Sequence, residues 1–141
     1  MQAALSQPKL TVNRVLFMGK RVFTAFAVED KTYRDFLVGQ ANLDKSPFEF
    51  TDMSVKQPWD QQWKTNCRAR IRGCDGLVAL ISKNTSKADG QLWEIQCGYD
   101  EKKPVMLMYV NDDRPTLPAL LKDKRINIWS WPNLKAFIER L

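Results

Sequence analysis

The sequence contains no histidine. That absence excludes a Ser-His-Asp or Cys-His pair, because both rely on an imidazole to take the proton. It also excludes a zinc hydrolase of the HExxH kind. Any acid–base work falls to carboxylates, or the reaction requires little of it. Cysteine is scarce: Cys67, Cys74 and Cys97 are the full set, an odd number with no CxxC pair. Such a set reads as reduced core residues, and no metal site is expected. No apolar run approaches the ~20 residues that cross a bilayer. The start, "MQAALSQPKLTVNR", lacks the basic beginning and apolar core of a signal peptide. The expected setting is cytoplasmic, with no membrane partner. Phosphate loops are missing too, since neither GxxxxGK[ST] nor GxGxxG occurs.

What is present suits one domain. The chain has 141 residues, long enough for a real core. The net charge is +6, but the basic residues are dispersed. The nearest thing to a stripe is Lys64, Arg68 and Arg72 at helical spacing, which a solvated helix face explains. Nucleic acid is therefore not expected. An anionic small molecule or a partner surface would use the excess charge equally well.

Residues 1–18 differ from the rest and are read as an N-terminal extension, with the domain at 19–141. Within the extension, "PKLTVNRVLF" reads as an edge strand or an ordered arm, and Met18 could serve as a start of its own. "RVFTAFAV" (21–28) is a β-rich run. The helix "EDKTYRDFLVGQA" follows, with Tyr33, Phe36, Leu37 and Ala41 on one face. "FEFT" (48–51) is a short strand, and residues 52–58 are a loop. "WDQQWKTNCRARIRG" places Trp59, Trp63, Cys67 and Ile71 four apart, an amphipathic helix ending at Gly73. "GLVALIS" (76–82) and "PVMLMYV" (104–110) are continuous apolar runs, as in strands buried on both faces. Between them lie a loop and the helix "GQLWEIQCGYDEKK". "RINIWS" (125–130) is a fifth strand, and Ser130 caps a last helix with Leu134, Phe137, Ile138 and Leu141 inward.

The alternation predicts an α/β, flavodoxin-like three-layer fold with a five-stranded parallel sheet, order 2-1-3-4-5. Ligands then bind at the C-terminal ends of strands 1 and 3. Function does not follow from this architecture alone. A receiver domain would need an acidic residue at the end of strand 3, where this chain reads "LISKN". A flavodoxin would need a Ser/Thr/Gly phosphate loop after strand 1, where it reads "AFAVED".

Attention falls on Glu94, with Gly90 and Gly98 four residues to either side. Each glycine costs roughly 1 kcal/mol in a helix relative to alanine. At 100° per residue, Leu92, Ile95 and Tyr99 share the face expected against the sheet, and Glu94 falls opposite Leu92 with both glycines. Glu94 is then either an ordinary exposed glutamate or a carboxylate in a cleft that the glycines keep open.

"RVFTAFAVEDKTYRDFL", "FEFTDMSVKQPWDQQWK", "CDGLVALISKNTSKADGQLWEI" and "KKPVMLMYV" together resemble a TIR (Toll/interleukin-1 receptor) domain. More narrowly they resemble the prokaryotic TIR-like group that includes the TIR protein of Thoeris anti-phage defence. The resemblance spans residues 20 to about 130. It implies an NAD+ glycohydrolase/cyclase that cleaves the nicotinamide–ribose bond. The expected product is a cyclic ADP-ribose-type signal, which reaches a separate effector as a diffusible nucleotide. NAD is then substrate, and no cofactor is expected. The family's catalytic glutamate matches Glu94. Its loop before helix 2, here residues 52–58, borders the nucleotide and mediates self-association.

The further site residues stay open between two readings. Asp30 orients a ribose or caps helix 1. Ser54 and Lys56 contact phosphates or belong to a solvated loop. Asn84 and Thr85 are ligand contacts or turn formers. Trp93 packs or stacks on the ligand, and Phe26 is the other nearby aromatic. Two positions depart from the family: Ala25 stands where serine is common, and Gly90 where tryptophan is usual. The alternatives to an enzyme are a non-catalytic TIR scaffold and a nucleotide-binding module acting by self-assembly.

Overall fold

The structure is a computed structural model that describes residues 19–141. The expectations for residues 1–18 lie outside the described residues. The elements are β1 (Arg21–Ala25), α1 (Lys31–Leu43), β2 (Glu49–Thr51), α2 (Gln61–Arg72), β3 (Gly76–Ile81), α3 (Asp89–Asp100), β4 (Val105–Tyr109), β5 (Ile126–Asn127) and α4 (Trp131–Glu139). All strand pairs are parallel, in the order β2-β1-β3-β4-β5. The predicted fold class and strand order are both found.

Every residue of β3 is buried, which is why its sequence is a continuous apolar run rather than an alternation. Side chains still leave the sheet alternately, and they build two apolar layers. Phe23, Ala25, Leu77, Ala79 and Ile81 pack with Trp63, Cys67 and Ile71 of α2 and Ile95 of α3. Val22, Val78, Leu80, Met106 and Met108 pack on the other face with Leu37 of α1 and Leu134 and Ile138 of α4. The caps are local. Asp60 accepts from the Trp63 amide at 3.0 Å, and Ser130 from the Asn133 amide at 3.4 Å.

Several details differ from the sequence reading. Trp59 precedes the Asp60 cap, lies outside α2 and is 77% exposed, so the apolar stripe of that helix begins at Trp63. Phe36 is 60% exposed, while Leu37 and Ala41 carry the inward face of α1. β5 is only two residues long, and the β4–β5 connection holds a single 3-10 turn, Ala119–Leu121. At the N-terminal end of β3, the Leu141 side chain fills the notch over Gly76; an added Cβ there would lie 2.8 Å from it.

A buried lysine–glutamate pair at the edge of the sheet

The helix that carries Glu94 is rotated relative to the sequence reading. Gln91, Glu94, Ile95 and Gly98 are buried, and Leu92 is only partly so. The reason is polar. Gln91 Nε2 donates to the carbonyls of Ala25 (3.1 Å) and Leu80 (2.6 Å), so an amide ties α3 to the ends of β1 and β3. Gly98 lets the helix close on the sheet: a Cβ there would sit 2.9 Å from Leu77 Cδ1. Gly98 therefore serves helix–sheet packing, not clearance beside a carboxylate.

Gly90 does not leave open space either. A Cβ at this position would lie 2.7 Å from Lys56 Cβ and 3.2 Å from its Cγ. Lys56 comes from the loop between β2 and α2, lies across Gly90, and donates through Nζ to both oxygens of Glu94, at 2.8 and 2.7 Å. Its ammonium sits 4.3 Å from the centre of the Phe26 ring, and the Arg34 guanidinium approaches the same ring at 5.3 Å. Arg34 in turn donates to Asp52 at 2.6 Å. Glu94 has no solvent exposure, and the Lys56 side chain has 7%. Burial pushes the Glu94 carboxyl up to about 8; the Lys56 charge and hydrogen bonds pull it back, and the nearby Asp52 charge adds to the rise.

The structure thus joins three of the sequence-chosen residues, Glu94, Lys56 and Phe26. Two others form a second cluster: Asp30 accepts from Ser82 Oγ and from Asn84 Nδ2 (2.9 Å). The Asp30 carboxylate makes no cap bond to α1; it spans the loops after β1 and β3 instead. Asn84 and Thr85 both shape the turn after β3, where Thr85 Oγ1 accepts from the Ser82 amide at 2.9 Å. Ser54 is exposed and reaches only Asp52, at 3.5 Å. Trp93 packs edge-to-face on Trp63, 5.4 Å between ring centres, with the Arg68 guanidinium over it. It is a packing residue between α2 and α3.

Beside the pair lies a pocket of about 250 Å³, whose walls include Val28, Lys56, Trp59, Lys87, Gly90 and Gln91. The sequence reading missed Gln91 and Trp59 as site residues. The β-strand ends needed a polar partner at position 91, but no periodicity in the chain announces one. Trp59 looked like core by its spacing from Trp63. A larger groove of about 470 Å³, lined by Tyr33, Phe36, Gly39, Leu43 and Trp129, is mostly apolar and holds none of these groups. It is not the candidate site.

All three cysteines are free and buried. Burial pushes the Cys67 thiol upward, with the Glu94 charge adding to the effect, and raises Cys74 to about 11. None is a thiolate near neutral pH. Replacing all three with alanine or serine is expected to cost stability and leave chemistry intact. A folded triple variant without turnover would contradict this.

A five-stranded parallel sheet in the order 2-1-3-4-5, with helices packed on both faces, is the flavodoxin-like architecture of a TIR domain. The family described as Thoeris protein ThsB, TIR-like domain, matches residues 23–115, and the chain belongs to that family. Among solved structures it is similar to the TIR domain of the Toll-related receptor TRR-2 from Hydra magnipapillata, with a TM-score of 0.59 and 15% identity. That match covers 84% of this chain and 91% of the other, and at such identity it is a likeness of fold. No curated protein matches the chain. Among the described residues, no helix is long and apolar enough to cross a membrane, and no cluster of His, Cys, Asp and Glu suits a metal ion.

Proposed function

We propose that the protein cleaves the nicotinamide–ribose bond of NAD and closes the ADP-ribose product into a cyclic signal. In anti-phage defence that signal would reach a separate effector by diffusion. The observation that carries this reading is the burial of Glu94 at the ligand-binding edge of the sheet. A carboxylate removed from water stabilises a developing positive charge far better than a solvated one.

The chemistry asks for little more. Nicotinamide in NAD is a cationic leaving group, so the electron pair of the broken C–N bond neutralises it and no general acid is required. The absence of histidine is no obstacle. The ribose left behind resembles an oxocarbenium ion, as in glycoside cleavage. Glu94 would hold the ribose hydroxyls and balance that charge. A nucleophile within the same ADP-ribose closes the ring and gives up a proton. NAD is substrate here, and the mechanism uses no resident cofactor.

A specific observation favours the scaffold reading instead: Glu94 is wholly buried and both its oxygens are taken by Lys56 in this structure. One experiment separates the two. Purified protein is incubated with NAD across a wide dilution series, and released nicotinamide is measured. Specific activity is expected to rise with protein concentration, because residues 52–58 both border the site and, in our reading, mediate self-association. Flat specific activity would remove the dependence on assembly. Absence of nicotinamide at every concentration would leave the scaffold.

A further inference from the structure

We propose that Gln91 is a specificity residue: its side-chain oxygen takes an N–H of a primary amide, which in NAD is the nicotinamide carboxamide. Substrate selection by Gln91 rests on the NAD reading. Amide binding at Gln91 requires no turnover and is measured separately.

The side-chain amide of Gln91 has one orientation. Nε2 donates to the carbonyls of Ala25 and Leu80, at 3.1 and 2.6 Å. Turning the amide over would set Oε1 against two acceptors, so the nitrogen fixes the oxygen. Oε1 is left without a donor. Gln91 is 1% exposed, and its oxygen is one of the few buried side-chain polar atoms that lack a partner among the described residues. Such orphans are uncommon in folded proteins, because each loses its water and gains nothing in return. The other two, Thr24 Oγ1 and Trp131 Nε1, belong to residues outside the pocket wall, whereas Gln91 is part of it. An unpaired carbonyl oxygen favours a ligand that brings an N–H and disfavours one that brings only acceptors.

The pocket suits a small amide. Its volume of about 250 Å³ falls below the roughly 300–1,000 Å³ usual for ligand sites, which fits one ring and its substituent rather than a whole dinucleotide. Val28 and Trp59 give it apolar wall for a ring to lie against. Its charged wall residues are two lysines and two carboxylates, Lys56, Lys87, Glu29 and Asp89. Their charges balance, so charge alone does not choose between a neutral amide and an anionic acid, and the choice falls to Gln91. The placement along α3 agrees with the chemistry. Gln91 precedes Glu94 by three residues, a rise of about 4.5 Å, and both are buried. In NAD the carboxamide stands one ring away from the bond that breaks. One residue can therefore hold the amide while the other holds the ribose.

The test compares three probes: nicotinamide, nicotinate and methyl nicotinate. The ester is neutral and close to nicotinamide in shape, but it has no N–H. Each is titrated into isotope-labelled protein while backbone amide shifts are followed by NMR. Wild type should bind nicotinamide roughly tenfold more tightly than the ester or the acid, the scale of one hydrogen bond to a buried acceptor. The shifts should centre on residues 27–29 and 87–91. Gln91→Met keeps the length of the side chain and removes the acceptor, so its preference for nicotinamide over the ester should disappear. If that variant does not fold, the wild-type series decides alone. Equal binding of amide and ester, shifts centred elsewhere, or a folded Gln91→Met that keeps the preference would overturn the role of Gln91. NAD and its nicotinic acid analogue are then compared as substrates. A preference for the amide in binding, with no turnover of NAD, supports Gln91 as the amide reader and removes the NAD reading. Turnover of both dinucleotides at equal kcat/KM overturns the role of Gln91 and keeps the NAD reading.

Discussion

Glu94→Gln is expected to lower nicotinamide release by roughly 10²-fold or more, the scale of losing one main electrostatic group. Glutamine keeps the size of the side chain and removes only its charge. At a surface position the change would leave stability within about 0.5 kcal/mol. The structure predicts otherwise. Glu94 is wholly buried and binds Lys56 through both oxygens, so at a pH where the carboxyl is ionised glutamine strands an ammonium that is itself almost buried. The melting temperature should fall as well, and turnover must be compared at a temperature where both proteins are folded. A pH series adds a second signature. The charged groups facing Glu94 are Lys56 and Asp52 from the loop; the Cys67 thiol of α2 is close as well. With the carboxyl pushed up to about 8, its active ionised fraction grows as pH rises. Wild-type turnover should climb through that region and then level off, and the residual rate of the variant should not. A folded Gln variant that consumes NAD at the wild-type rate would take Glu94 out of the mechanism.

The sheet was legible because its signals are local. "GLVALI" and "VMLMY" are apolar without a break, and strands covered on both faces have that property. Their order followed from the strand–helix alternation and was found as expected. The face of α3 was not legible by the same logic. Hydrophobic periodicity assumes that the residue against the sheet is apolar, but here it is Gln91, which donates to two strand-end carbonyls. Gly98 contributes by having no side chain, which a hydrophobic pattern cannot register. The polar contacts of the site also cross long stretches of sequence. Lys56 and Glu94 are 38 residues apart, and Asp30 and Ser82 are 52 apart. The sequence could nominate Lys56 and Glu94 one at a time. Only the close approach of the loop to Gly90 makes them a pair.

The strength of that pair should depend on pH in a direction that can be worked out. In the folded protein the Glu94 carboxyl sits near 8, above its ordinary value of 4.5. The folded state therefore holds the proton more tightly than the unfolded chain. The stability this supplies is full below about 4.5 and is lost as pH rises through about 8. Lys56 limits that loss, because its ammonium favours the carboxylate. Lys56→Met keeps most of the stem over Gly90 and removes the charge, so it should push the Glu94 carboxyl higher still. At pH 6 the variant is expected to cost about 1 kcal/mol or less, since Glu94 is already neutral there and its lost partner is a hydrogen-bond donor. Above pH 8 the wild type should level off while the variant keeps losing stability, by up to ~1.4 kcal/mol per pH unit. At pH 9 the cost should therefore be up to about 2.4 kcal/mol, on the way to the roughly 3–5 kcal/mol typical of a buried charge left unpaired. Adding Glu94→Gln to Lys56→Met removes the group that titrates, so the double variant should be flat with pH and more stable than Lys56→Met at pH 9. Denaturant unfolding of the four proteins at pH 6 and pH 9 measures the coupling. If Lys56→Met runs parallel to the wild type at both, the ammonium does not set the charge on Glu94, and the carboxyl must be held by burial alone.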